Sequence, residues 1–302
     1  MPSLRAWLMM GLIRLSGMKR KGADTRRMPE YVRLLQARGP AEPGRARERR
    51  LSIGRESFGG HAVFTAAPRK GGSGHHILYL HGGAYVLDLL DVHWRVIEGL
   101  IERTGATVTI PLYPLAPAHC WRDVFGMVRP LHVALAARHG AANLTVAGDS
   151  AGGGMALALA QQLRDAGEAL PGRLLLFSPW LDVTTSDPRA LAIAPRDPMI
   201  PISGARMAGA WYARDLSTRD PRISPIFGSV AGLPPIAVFT GTRDVLNADA
   251  HLLRAKAAEE GTELAFHEYD RLFHVWVALP IPEARQALDE AAAFMEPSAP
   301  PG

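Results

Sequence analysis

The sequence predicts an α/β chain, a mostly parallel central sheet covered by helices and carrying a helical cap, on three observations. Past Arg50, short runs of branched and aromatic residues alternate with longer amphipathic stretches. Continuous apolar strands separated by helices are the pattern of a parallel sheet buried on both faces. One of these strands, "LTVAG" (144–148), runs straight into a serine set between glycines and then into an alanine-rich helix. The stretch from Leu181 to about Pro225, rich in Pro, Arg and Asp, is longer than a connection between two such strands requires and reads as an insertion.

Taken in order, residues 1–55 form an N-terminal cap segment. In "SLRAWLMMGLIRLSGM" (3–18), Ser3 can cap a helix whose Leu4, Leu8, Leu12 and Leu15 recur at helical spacing, and Lys19-Arg20-Lys21 follows. The apolar run is too short to span a bilayer. Arg14 interrupts it and no small-x-small cleavage site follows, so it is a poor secretory signal. A basic amphipathic helix of this kind either packs over its own protein as part of a lid or lies on an anionic membrane as a peripheral contact. Packing is the usual use of an apolar stripe and is the expectation here.

Residues 56–180 are the first part of a catalytic domain, with strand-like runs at 61–66, 76–81, 106–113, 144–148 and 173–178 and helix-like stretches at 92–103, 122–138 and 151–166. Residues 181–225 are the cap insertion, with one plausible helix, "SGARMAGAWYARDL" (203–216). Residues 226–302 complete the catalytic domain through strands at 236–241 and 263–269 and helices near 246–260 and 283–295. The tail "EPSAPPG" (296–302) has a composition expected to be disordered.

Composition narrows the function. With 302 residues, 47% apolar and 21% charged, the chain has the makings of one large α/β domain or two small ones. The net charge of +5 is uneven: residues 1–50 hold 13 Lys and Arg against 4 Asp and Glu, and the remainder holds 21 against 25. Basicity is therefore a property of the arm, and no basic face with interleaved aromatics points to nucleic acid. The single cysteine, Cys120, rules out an internal disulfide framework and fits the cytoplasm, the expected location. No metal-ligand spacing and no nucleotide fingerprint is present, so no cofactor is expected.

The sharpest motif is "LTVAGDSAGGGMALALA" (144–160), where Gly148-Asp149-Ser150-Ala151-Gly152 fits G-x-S-x-G between a strand and a helix. Its glycines let a sharp strand-to-helix turn expose the Ser150 hydroxyl. A serine needs a base, and the base an orienting carboxylate, in the chain order Ser, acid, His after the late strands. Asp244 lies three residues after Gly241 at the end of one such strand, and His274 lies in the loop after the next. Among the rivals, Asp249 falls within the following helix, Asp270 is too near His274 in sequence, and His267 sits inside a strand-like run.

"YLHGGAYV" (79–86) places two glycines just after a strand, exposing backbone N–H groups beside the serine. Attack by Ser150 on an ester carbonyl creates an oxyanion, which such donors stabilise. Gly82, Gly83 and Ala151 are the expected donors, and His81 is expected to orient the loop.

Together "HGGA" (81–84), "YPLAP" (113–117), "GDSAGG" (148–153), "DVL" (244–246) and "HVW" (274–276) resemble the hormone-sensitive-lipase-like branch of the α/β-hydrolases, the bacterial family IV esterases. The resemblance covers about residues 75–295. It implies an α/β-hydrolase fold, hydrolysis of short- or medium-chain carboxylic esters without a cofactor, and a cap built from the N-terminal segment and an insertion. It also implies Ser150, Asp244 and His274 as a catalytic triad. Two departures stand out: Ala84 replaces a frequent third glycine, and Pro114 and Ala118 stand where Arg and Glu are common.

For the substrate, Met199, Ile202, Met207, Trp211, Tyr212 and Phe227 could wall the site or simply form the cap's own core. Tyr85, Met207, Trp211 and Tyr212 are taken as the substrate-binding candidates for a small-molecule ester. A ligand-binding receptor on the same fold, as in the plant gibberellin receptor, lacks the base, whereas Ser, Asp and His are all present here. An acyltransferase would use the same acyl-enzyme, and a homodimer is compatible with the sequence.

Overall fold

The computed structural model describes residues 1–296. Four helices make the arm: α1 (Leu4–Leu15), α2 (Met18–Ala23), α3 (Met28–Gln36) and α4 (Gly44–Arg50). The sheet strands and their helices follow as β1 (Leu51–Phe58), β2 (His61–Pro68), β3 (His76–Leu80), α5 (Asp91–Thr104), β4 (Thr107–Pro111), α6 (Trp121–His139), β5 (Leu144–Asp149), α7 (Ala151–Asp165) and β6 (Arg173–Phe177). Short helices α8 (Pro188–Ile193) and α9 (Ile202–Ala213) occupy the insertion. The chain closes with β7 (Ile236–Gly241), α10 (Asn247–Glu260), β8 (Leu264–Tyr269) and α11 (Pro282–Met295). Beyond Glu296, the tail expected to be disordered lies outside the described residues.

The eight strands form one sheet in the order β1-β2-β4-β3-β5-β6-β7-β8. β1, β2 and β4 pair antiparallel, and every pair from β4 through β8 is parallel. The central strands β3, β5, β6 and β7 are apolar and almost wholly buried, because helices cover both faces. One core layer joins α6, α7 and α10 to the sheet and takes in the cap. The other joins α5 and α11 to the opposite face.

Two expectations are corrected. β1 starts at Leu51, so the last residues assigned to the N-terminal cap segment, up to 55, belong to the sheet. The α1 stripe also faces the wrong way for a lid: Leu4, Leu8, Leu12 and Leu15 are 76%, 60%, 60% and 86% exposed. The helix packs instead on the opposite face, through Ala6 and Met10, 0% and 1% exposed.

The arm is nonetheless firmly attached. The Ser3 hydroxyl donates to Glu283 at the start of α11 (3.0 Å), and Lys19 Nζ donates to the carbonyl of Asp197 (2.7 Å). The Gln36 amide donates to the carbonyls of Val86 (2.8 Å) and Ala116 (2.9 Å), clamping two loops beside the sheet's carboxyl edge. Arg47 and Arg50 of α4 both pair with Glu98 of α5.

Candidate active site

Ser150 joins β5 to α7 with φ +52° and ψ −120°, a backbone state that a non-glycine residue adopts only under constraint. The constraint is visible. The Ser150 N–H donates to Phe177 O (2.9 Å), and its carbonyl accepts from Trp180 (2.9 Å) and Gly154 (3.1 Å). α7 presses so closely on the strand ends that a Cβ on Gly152 would overlap the Leu80 carbonyl oxygen, and one on Gly148 would overlap the Gly152 carbonyl. That is why both positions need glycine.

The other two candidates converge on this turn from the loops after β7 and β8. His274 Nε2 lies 2.9 Å from Ser150 Oγ, and its Nδ1 lies 3.0 and 3.2 Å from the two Asp244 oxygens. With a carboxylate at Nδ1, that nitrogen carries the proton and Nε2 is left to accept from the serine. The loop is fixed by the Val275 N–H, which donates to Ser178 Oγ (3.0 Å). Burial by itself would lower the His274 pKa; the Asp244 carboxylate, with Asp197 and Asp149 behind it, outweighs burial and holds it above the ordinary 6.5.

A second buried carboxylate stands behind the first. Asp197 accepts from the N–H groups of Met199 (2.6 Å), Ile200 (2.9 Å) and Val245 (2.9 Å), the last of these the residue after Asp244. Burial, and then repulsion from Asp244, push the Asp197 carboxyl up. Sequence reading missed this residue, since nothing in "RDPMI" (196–200) marks it.

The glycine loop corrects one expected role. The Gly82 N–H donates to Asp149 Oδ1 (3.0 Å), so it is not free for an oxyanion. No acceptor among the described residues takes the N–H of Gly83, Ala84 or Ala151. Ala84 and Tyr85 stand at φ +54° and +63°, a left-handed state that glycine adopts without strain.

Asp149, read in the sequence only as the variable position before Ser150, is a hub. Its Oδ1 also accepts from Tyr79 OH (2.7 Å), and its Oδ2 faces His93 Nε2 at 3.5 Å. Leu90 N–H donates to His93 Nδ1 (2.8 Å), so the ring presents its N–H to the carboxylate. Burial would raise the Asp149 pKa; His93, Tyr79 and Gly82 together reverse this and hold it below the ordinary 3.8. His81 is buried against Tyr113, its ring centroids 4.3 Å apart, and burial followed by His93 lowers its pKa to about 3. It is therefore a neutral ring that braces the loop.

The rivals lie elsewhere. Asp249 in α10 accepts from Leu181 (3.2 Å) and Asp182 (3.0 Å), Asp270 is exposed near Thr242, and His267 pairs with Glu290 at 2.9 Å. Of the substrate-binding candidates, Tyr85 and Tyr212 are stacked face to face, with centroids 3.7 Å apart, and both are buried. Met207 and Trp211 are partly buried and pack against the same core.

Comparison with known proteins gives the family. A family model described as alpha/beta hydrolase fold matches residues 77–278. The chain is 33% identical to an acetyl-hydrolase of Streptomyces hygroscopicus over 74% of its own length and 75% of the relative's. It is 31% identical to an esterase of Acinetobacter venetianus over 72% and 73% of the two chains. A solved esterase of the bacterial hormone-sensitive lipase family superposes with a TM-score of 0.82 at 25% identity, covering 98% of each chain. With its serine elbow, parallel sheet and cap, the chain belongs to the α/β-hydrolase fold family, in the hormone-sensitive-lipase-like branch of carboxylic ester hydrolases.

Proposed function

We propose that the chain hydrolyses short- to medium-chain acyl esters through an acyl-enzyme on Ser150. The observation that carries this reading is the unbroken line from Ser150 Oγ to His274 Nε2 (2.9 Å) and from Nδ1 to Asp244 (3.0 Å). As Oγ bonds to the acyl carbon, its proton passes to Nε2, and Asp244 stabilises the imidazolium. The carbonyl oxygen gains the electron pair and is received by the N–H groups of Gly83, Ala84 and Ala151. Collapse expels the alcohol, which takes the proton from Nε2. A water then loses a proton to the same nitrogen, attacks the acyl carbon and frees the acid and Ser150.

Met207 and Trp211 are the side chains proposed to meet the acyl or alcohol portion, with the stacked Tyr85 and Tyr212 as a fixed support behind them. The test is a p-nitrophenyl ester series from acetyl to palmitoyl. Ser150→Ala should remove at least about three orders of magnitude of kcat while leaving the fold intact. Retention of most activity by that variant would discard the mechanism, and a maximum at palmitoyl would discard the chain-length assignment.

A further inference from the structure

Helix α1 is apolar almost all round, a pattern that belongs to a helix covered on every side. Its inner face is covered: Ala6 and Met10 are buried, and Arg243 lies 4.8 Å from the Trp7 ring centroid and 3.3 Å from Met10 Sδ. The outer face, Leu4, Leu8, Leu12 and Leu15, is bare. On a 3.6-residue wheel those leucines fall within about 80° of one another, with Arg5 on one flank and Arg14 on the other.

Charge says what would cover it. Residues 1–27 carry seven Lys and Arg and one acid, Asp24. Beside α1 a cleft is lined by Ile193, Arg196, Thr242, Arg243, Asp270 and Arg271, setting three arginines against one carboxylate. Burial, then the nearby Arg14, Arg271 and Arg196, hold the Arg243 pKa below its ordinary value, and Asp270 offsets only part of this positive charge. Among the described residues no helix is long and apolar enough to cross a membrane, so a bilayer would be met from its surface.

We propose that the leucine face of α1, with its arginine cleft, docks the protein onto an anionic lipid bilayer. The leucines enter the boundary between headgroups and acyl chains, and the arginines meet lipid phosphates and carboxylates, the arrangement of an interfacial amphipathic helix. α1 rests on Arg243, the residue before Asp244, and the following helix α2 is tied to Asp197 by Lys19. Docking thus places the active-site edge of the sheet at the membrane. The placement would favour esters dissolved in lipid, and only this last consequence rests on the esterase reading.

The test uses the full chain with sedimenting vesicles of phosphatidylcholine, alone or carrying phosphatidylserine. Binding should be strong only to the anionic vesicles and should weaken as salt rises. Leu8→Glu/Leu12→Glu should lower partitioning by about tenfold or more. The two positions are exposed, so circular dichroism and hydrolysis of soluble p-nitrophenyl acetate should match the parent. No binding by the parent, or equal binding by the variant, overturns the proposal. So does a parent that fails to bind vesicles but is a dimer that the variant splits, which would make the face a contact between copies. Vesicle binding by a parent inactive on every ester would sink the esterase reading and leave the docking surface standing.

Discussion

Replacing the Asp149 carboxylate tests how the serine turn and the glycine loop are held together. Oδ1 accepts from both Tyr79 OH (2.7 Å) and Gly82 N–H (3.0 Å), and Oδ2 faces the His93 N–H at 3.5 Å. In Asp149→Asn the amide oxygen can keep the two contacts at Oδ1, but its NH₂ then meets the His93 donor. Losing the charge costs about 1.5–3 kcal/mol, the worth of hydrogen bonds to an ionised group. In Asp149→Ala all three donors lose their acceptor, and at roughly 1–3 kcal/mol for each buried orphan the loss is about 3–9 kcal/mol, a large share of a typical folding stability. Urea unfolding of the two variants reads these losses, and kcat on p-nitrophenyl butyrate reads the loop. Because Gly82 N–H anchors the segment carrying Gly83 and Ala84, kcat should fall about tenfold or more even in the Asn variant, the size of effect a sub-ångström misplacement produces. The pH dependence has a fixed sign. The folded pKa is depressed below 3.8, so the Asp149 contribution is fully present above 3.8 and is lost as pH falls through the lower folded value. Asp149→Asn should therefore close its stability gap to the parent only in strong acid. An Asn variant as stable and as active as the parent would refute the assignment of Asp149 as the hub.

Three further outcomes follow from the site. In the proposed mechanism His274 must be neutral to accept the Ser150 proton, and its pKa is raised, so kcat/KM should climb with pH through a value above 6.5; a midpoint below that would contradict the influence of Asp244. Ala84→Gly relieves a left-handed alanine, worth about 1–2 kcal/mol, and returns about 0.4–1 kcal/mol to the unfolded chain, so urea melts should show no loss and a net gain of up to about 1.6 kcal/mol. Gly152→Ala drives a Cβ into the Leu80 carbonyl, and backbone cannot swing aside as a side chain can; kcat should drop by about a hundredfold or more, while wild-type kcat would show that the turn tolerates displacement.

The central sheet was legible because β3, β5, β6 and β7 are unbroken apolar runs whose ends are marked by Gly, Ser or Pro. β1 escaped notice because "LSIGRESF" (51–58) is an exposed edge strand whose Gly54, Arg55 and Glu56 erase the alternation. Order and loop position sufficed to expect Ser150, Asp244 and His274 side by side, where the converging strand ends bring them. The donors were less legible. Glycine spacing shows that N–H groups gather near the serine, but only the fold reveals that Gly82 is already held by Asp149. Periodicity likewise located the α1 leucines on one face without saying which way that face points, because Ala6 and Met10 on the other side are apolar too.

The arm's attachments also fix an order of events during synthesis. Ser3 holds Glu283, Lys19 holds the Asp197 carbonyl, and Met10 touches Arg243, contacts that span 280, 178 and 233 positions along the chain. The ribosome makes the arm well before any of these partners, and closing loops that long is slow and entropically costly. The segments carrying Asp197, Arg243 and Glu283 must therefore be in place before α1 and α2 can dock, whereas Gln36, Arg47 and Arg50 find partners within about fifty positions. Until then the face of α1 that carries Ala6 and Met10, buried in the folded chain, has nothing to cover it.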